Sequence, residues 1–364
     1  MRIARIDTIA IDIPANHGGA APGQGGRDWK SLSTLLVRVE TDGGLVGYGD
    51  AFCYECRPAV QAALEHMIAP RAIGQDASQI TRLMQSLQKD LHIFGRYGIL
   101  MFAMSGLDIA LWDIAGKKAG VPLHDLLGGA VHERIPTYAS LFRYGDPEIV
   151  AAKSKEAIDQ GYRHIKLHEK YAPEVKAARD VIGPDIPLMI DTNCPWTPDE
   201  ARQNALSLKP FDPYWLEEPV FPPENFTGLA QVRAETGVPI AAGENACSVY
   251  EFRAMFAANA VTYAQPSVTK VGGITEFRKV AALAQMANVT LVPHSPYFGP
   301  GLLATLHLMA AQPEPPLIER YFLNLEASLY GDLIHPVDGF FTAPKSPGVA
   351  PEPDPDVLRD YAVK

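Results

Sequence analysis

Three acids recur at near-regular intervals: Asp191 ends LMID, Glu217 ends YWLE, and Glu244 ends IAAGE. Each follows a short apolar run that reads as a buried strand, so three successive strands would bring their carboxylates together. Left alone, such a cluster repels itself and raises its own pKa values. A hard divalent cation resolves the conflict, and all-oxygen ligation favours Mg²⁺ over Zn²⁺. The competing reading is three separate acids serving salt bridges or helix N-caps.

Basic groups flank the acids. In HIKLHEK, Lys166 and His168 stand two apart, so on a strand both point to one face while Ile165 and Leu167 point to the other. His294, in LVPHSP, ends a later apolar run. A lone histidine is usually structural, but one at a strand end facing a metal is a functional candidate.

These positions belong to a longer pattern. Short apolar strand candidates end at or near Tyr138, Lys166, Asp191, Glu217, Glu244, Ser267, His294 and Glu319, in steps of 23 to 28 residues. Helix-like segments such as 174–181 and 276–287 fill the gaps. Eight strand-helix units of this size predict a (β/α)8-type barrel with its chemistry at the C-terminal strand ends. His294 then lies on the seventh strand, across the barrel from Lys166 and His168 on the second. A doubly wound open sheet also alternates strands and helices, but no glycine-rich dinucleotide fingerprint follows a strand here.

The first 125 or so residues read differently. Polar Arg5 and Asp7 lead into apolar Ile9, Ile11 and Ile13 at every second position, Leu35, Val37 and Val39 alternate with Arg38 and Glu40, and Asp42-Gly43-Gly44 supplies a hairpin turn. From Arg57 the pattern is helical. Ala103, Leu107, Ala110, Leu111 and Ile114 make one apolar face, and Gly120 then Pro122 stop the helix. The segment LLGG at 126–129 marks the boundary. PANHGGAAPGQGGRD, from residue 14 to 28, is too glycine-rich for strand or helix and reads as a surface loop or an active-site lid.

Composition excludes other classes. With 364 residues, 47% hydrophobic and 20% charged, the chain suits one large or two intimate globular domains. Gly and Pro make up about 17% against roughly 12% on average, which argues for many tight connections rather than a helical bundle. A net charge of −10 removes the basic footprint of a nucleic-acid binder. No run of about eighteen apolar residues predicts a membrane span, and MRIARIDTIAIDIP, with charges at Arg2, Arg5, Asp7 and Asp12, contains no signal-peptide apolar region. The expected location is cytoplasmic. Cys53-x-x-Cys56 has no second close pair, and Cys194 and Cys247 stand alone, so four reduced thiols are expected.

Taken in order, the motifs resemble the enolase superfamily, in particular its mandelate racemase/muconate lactonizing branch. The resemblance covers nearly the whole chain. It rests on GLDIALWDIAGKKAGVPLHDLLGG, the Lys166/His168 pair, Asp191-x-Asn193, Glu217-Glu218-Pro219, Gly243-Glu244, Lys270-x-Gly272-Gly273 and His294. Each motif is weak alone; their order and spacing together are specific. The resemblance implies a (β/α)7β TIM-type barrel over residues 128–324. It also implies an N-terminal α+β capping domain over 1–127, completed by 325–364.

By the same similarity Asp191, Glu217 and Glu244 ligate one Mg²⁺ per subunit. The implied reaction removes the proton α to a carboxylate, giving an enediolate. That proton is too weakly acidic for a neutral base unless a fixed divalent charge and nearby donors stabilise the developing negative charge. The implied partner is a small carboxylate, a polyhydroxy acid, and the implied assembly is a homo-oligomer. Asn193, Tyr54 and Tyr297 are the candidates for substrate contact.

Two departures from the branch matter. Its usual second-strand base is a lysine; here that position is His168, with Lys166 before it. Histidine needs no large pKa depression to be neutral near pH 7, and Lys166 beside it favours the neutral form. His168 is the favoured base and Lys166 the alternative. Second, racemising members pair the seventh-strand histidine with an aspartate on strand six, where this chain has Ser267. Without that carboxylate His294 is a poorer strong base and a more natural proton donor. Lys270 reads as a counter-charge to the acids. Glu319 matches an acid that hydrogen-bonds the substrate carboxylate, for which it would have to be protonated. The expected activity is dehydration of a sugar acid. The alternatives are racemisation or epimerisation, or cycloisomerisation of a lactone or anhydro-sugar acid. A non-catalytic binding protein is the outside class, disfavoured by an intact triad with its basic flanks.

Overall fold

Alternating apolar residues build the first layer. In the computed structural model, which describes residues 1–19 and 29–363, β1 (Ile3–Asn16) pairs antiparallel with β2 (Ser31–Thr41). β3 (Val46–Ala51) joins the other edge of β2. Leu35, Val37 and Val39 face the helices of this part of the chain. Ile11, Ile13, Leu32 and Leu36 face the rest of the molecule, so both sides of the sheet are covered. Residues 14–16 continue β1, where Ala15 and Asn16 pair with Leu325 and Asn324, so the glycine-rich stretch begins as strand rather than loop. Residues 20–28 of the expected lid lie outside the described residues.

The helix Ile99–Ala119 ends at left-handed Gly120 (φ 72°), as its sequence predicts. It does not present one apolar face. Most of its circumference is buried, because it is sandwiched between the sheet and the strand-helix repeat. Glycines permit that contact: a Cβ at Gly49 of β3 would overlap the Gly106 carbonyl. By length and composition this helix could cross a membrane, but most of it is buried inside the fold, as a core helix is.

Beyond residue 130 eight parallel strands follow. They are β4 (Ile135–Ser140), β5 (Ile165–Leu167), β6 (Leu188–Asp191), β7 (Pro213–Glu217), β8 (Ile240–Ala242), β9 (Tyr263–Ala264), β10 (Thr290–Leu291) and β11 (Ile318–Tyr321). Their order is β10-β9-β8-β7-β6-β5-β4-β11, and a helix lies between each consecutive pair in the chain. This is a (β/α)7β barrel: after β11 the chain leaves to pair with β1 instead of adding an eighth helix. Tyr138, Met189, Trp215, Ala241, Val292 and Leu317 fill one cluster and form the floor beneath the strand ends.

The strands are shorter than their apolar runs. Asp191 and Glu217 are strand-terminal, but Glu244, Ser267 and His294 lie two or three residues past their ladders. Tyr138 is not at a strand end; it lies inside β4 and belongs to the floor.

The N-terminal layer is fastened over the barrel by polar contacts. Tyr54 Oη donates to the Pro296 carbonyl (2.6 Å), Trp112 Nε1 donates to Thr275 Oγ1 (3.0 Å), and Thr275 N donates to Asp108 Oδ1 (2.9 Å). Gly273 of the Lys-x-Gly-Gly motif meets this seam, and a Cβ there would overlap the Asp108 side chain.

Asp50 of β3 is buried in the seam and accepts from Gly301 N (3.2 Å) in the first turn of helix Pro300–Ala310. Burial pushes its carboxyl up to about 7, and the Gly301 bond offsets only part of that. The native state therefore keeps a proton that the unfolded chain releases near 3.8, so this group costs stability as pH rises from about 4 to 7. Asp50→Asn keeps the acceptor and removes the charge. It is expected to stabilise the fold at pH 8, by up to about 4 kcal/mol, with the gain shrinking to about 2 kcal/mol at pH 5. Urea denaturation at both pH values checks this; a pH-independent gain would contradict it.

Candidate active site

Asp191 and Glu217 end β6 and β7 directly opposite one another in the ladder. Glu244 joins them from just past β8, after Gly243, whose φ of 140° turns the chain inward. One carboxylate oxygen from each residue lies within 4.8 Å of the other two. Trp215 Nε1 in the barrel floor steadies Glu217 by donating to Oε2 (2.8 Å).

Lys166 fills the side of this cluster and is fully buried. Its Nζ contacts Asp191 Oδ2 (3.1 Å), Glu217 Oε1 (2.8 Å) and Glu319 Oε1 (2.9 Å). Burial would lower its pKa, but Glu217 and Glu319 outweigh that and hold the ammonium well above its ordinary range. One ammonium among three acids leaves the charge unbalanced. Burial and the Asp191 charge push Glu217 up in turn. A divalent cation supplies the missing positive charge, and three hard oxygen donors suit Mg²⁺, so Asp191, Glu217 and Glu244 fit that group.

The two histidines flank the acids. His168, just beyond β5, brings Nε2 to 3.1 Å from Asp191 Oδ2, while its Nδ1 lies 2.5 Å from the Leu141 carbonyl. A carbonyl only accepts, so Nδ1 carries a hydrogen and neutral His168 has its lone pair on Nε2. His294 brings Nε2 to 2.8 Å from Glu244 Oε2. The acid cluster therefore lies between the two imidazoles.

Other expected site residues are engaged differently. Glu319 meets hydrogen-bond donors on both of its oxygens. Burial would raise it, but the Lys166 charge and bonds from Lys166 and Ser140 Oγ (2.8 Å) hold it below the ordinary range. Its second oxygen accepts from Ser295 N (3.1 Å). Tyr54 and Tyr297, read as substrate contacts, give their hydroxyls to protein: Tyr54 to Pro296 O and Tyr297 to Ser267. Asn193 Oδ1 accepts from Arg143 (3.0 Å). Lys270 Nζ stands 3.9 Å from Glu244 and 4.7 Å from the Phe52 ring centre, placed as a counter-charge.

Sequence reasoning missed Arg143 and the aromatic wall. Arg143, three residues past β4, donates through Nε to the His168 carbonyl (2.5 Å). A cation just after the first barrel strand was the available signal. Trp29, Tyr54, Phe142 and Tyr321 pack edge to face or tilted, with ring centres 5.0 to 6.3 Å apart in contacting pairs, and Tyr321 reaches within 6.2 Å of His168. They come from four separated segments, which no local pattern joins.

A metal test follows from the triad. Mg²⁺ at a hundred times its dissociation constant is expected to stabilise the fold by about 2.7 kcal/mol, and Glu244→Gln should remove most of that gain. Thermal unfolding against Mg²⁺ concentration reads it. An unchanged wild-type midpoint would mean that the triad holds no metal.

Known proteins carry the same organisation. Residues 28–128 match the model for the mandelate racemase/muconate lactonizing enzyme N-terminal domain, and residues 150–357 match the enolase C-terminal domain-like model. The 3,6-anhydro-alpha-L-galactonate cycloisomerase of Streptomyces coelicolor is 34% identical over 94% of each chain. The arabinonate dehydratase of Saccharolobus solfataricus is 30% identical over 92% of this chain and 91% of that protein. A racemase from Streptomyces coelicolor A3(2), crystallised with bound magnesium, superposes with a TM-score of 0.87 at 31% identity, covering 99% of this chain and 100% of the other.

Proposed function

The chain belongs to the mandelate racemase/muconate lactonizing enzyme family of the enolase superfamily, and we propose that it dehydrates a sugar acid. His168 takes the proton α to the carboxylate, and His294 protonates the departing β-hydroxyl. The products are water and an enol that becomes a 3-deoxy-2-keto acid. Bound Mg²⁺ supplies the fixed positive charge that lets negative charge build on the substrate carboxylate.

The observation that carries this reading is the difference between the two imidazoles. His168 Nδ1 is tied to a main-chain carbonyl, so Nε2, beside Asp191, is the nitrogen turned to the site and the one that would accept a proton. Nδ1 of His294 meets hydroxyls and no carboxylate. Two-base racemisation needs a strong base on each face, so the site suits elimination better. Lys166 is the weaker base candidate, because three carboxylates occupy its ammonium. It serves to hold the acids and to attract the substrate carboxylate.

A second reading has its own support. Aromatic rings line the side near His168 and Tyr321. Ring faces suit a closed sugar ring, from which the same elimination would expel the ring ether oxygen and lose no water. One relative is named as a cycloisomerase of an anhydro-galactonate. Incubation with linear aldonic acids and cyclic anhydro acids, with Mg²⁺, separates the two. Keto acid from a linear acid with loss of water supports dehydration; α-deuterated epimer in D₂O without keto acid would sink both eliminations. The reading also places the enzyme in the cytoplasm as a homo-oligomer, which cell fractionation and light scattering would check.

A further inference from the structure

We infer that the Ser267–Tyr297 hydroxyl pair is the positioning element of His294, holding the imidazole by Nδ1 with its Nε2 turned toward the acid cluster. The inference rests on the elimination reading above and assigns the pair a task within it.

The pair is built into the fold. Ser267 follows β9 and accepts main-chain bonds from Lys270 N (3.0 Å) and Val271 N (2.9 Å), which fix its turn. Tyr297 N donates to Ser295 O (2.7 Å), folding the chain back so that its ring stands edge-on to His294, with centres 6.0 Å apart. The two hydroxyls are hydrogen-bonded to each other, and both side chains are buried. Tyr297 Oη lies 3.4 Å and Ser267 Oγ 3.5 Å from His294 Nδ1. These are long hydrogen bonds, of the kind that tighten when substrate closes a site. Among the described residues Nδ1 has no other partner. The cap contributes through Tyr54, whose hydroxyl grips the carbonyl of Pro296 in the same loop.

Partner chemistry sets what the pair can do. A carboxylate only accepts, so at Nδ1 it demands Nδ1–H and leaves neutral Nε2 bare, ready to take a proton. A hydroxyl gives or accepts. It holds the ring whether Nδ1 is bare or carries a hydrogen, and it adds no negative charge that would strengthen the imidazole as a base. On the other edge Nε2 lies 2.8 Å from Glu244 Oε2, so the pair fixes which nitrogen faces the acids. Both imidazoles are thus held by Nδ1 with Nε2 toward the acids, His168 by a main-chain carbonyl and His294 by two hydroxyls. Ser267 and Tyr297 touch no reacting atom in this scheme; they act through the imidazole.

Tyr297→Phe and Ser267→Ala test this with readouts that a packing role would not split. With a β-hydroxy acid, kcat should fall at least about tenfold with KM within about twofold, while α-deuterium exchange persists. With the β-hydroxyl replaced by fluorine, whose departure needs no proton, turnover should stay near wild type. Equal losses on both substrates and on exchange would overturn the inference, as would no loss on the hydroxy acid. Ser267→Asp should create a base on the second face, seen as α-deuterated epimer in recovered substrate. ¹⁵N NMR of the Mg²⁺-bound protein reads the pair's hold on His294 without turnover. The His294 Nδ1 resonance should shift in Tyr297→Phe and in Ser267→Ala, and an unshifted resonance would overturn the proposal. If the wild type makes no keto acid from any acid, dehydration itself fails, and the NMR result still decides whether the pair holds the ring.

Discussion

His168→Ala is expected to abolish α-proton exchange and turnover together, a loss of about 10² to 10⁴-fold or more. The imidazole is held through Nδ1 by the Leu141 carbonyl, with Nε2 turned to the acid cluster as the nitrogen that would take the proton. Lys166 cannot stand in, since Asp191, Glu217 and Glu319 hold it as an ammonium. Arg143 braces the His168 carbonyl and carries no free base. The variant should still bind Mg²⁺, because the triad is untouched, so a thermal shift with metal separates lost chemistry from lost folding. Exchange that survives at near wild-type rate would mean the proton leaves from the other face.

His294→Asn should split the two activities that His168→Ala removes together. Product from a β-hydroxy acid should fall by about two orders of magnitude or more, because hydroxide leaves poorly without a proton. Exchange of the α-proton for deuterium should persist, since His168 can still remove it and return a solvent deuteron to the same face. Deuterium in recovered substrate, with configuration retained and little keto acid, is the expected pattern. Loss of exchange in this variant with retention in His168→Ala would reverse the two roles.

The sequence showed much of this arrangement and missed particular parts of it for physical reasons. Repeat spacing placed Asp191, Glu217, Glu244 and His294 because strand-helix units of near-constant length return the chain to the same end of the barrel. Substitution of Ser267 for an acid was visible in the letters alone. The replacement partner was not, because Tyr297 reaches Ser267 only through a three-residue turn in a loop. Glu319 was legible as an acid on the last barrel strand, but its contact with Lys166 was not, because Lys166 lies more than 150 residues earlier in the chain. Tyr138 fits the repeat but lies in the barrel floor, because an inward-facing residue in the middle of a strand lies below the strand ends. The expected single apolar face of Ile99–Ala119 gave way to burial on most sides, which local periodicity cannot show when a helix lies between two layers.

The central claim is that this site couples removal of the α-proton to expulsion of a β-hydroxyl with Mg²⁺ present. Proton NMR of the wild-type enzyme acting on a linear aldonic acid in D₂O tests it most directly. The account predicts a 3-deoxy-2-keto acid bearing one solvent deuterium at C3, with no product when EDTA removes the metal. Recovered acid deuterated at the α-carbon and epimerised, with no keto acid at any time, would contradict it.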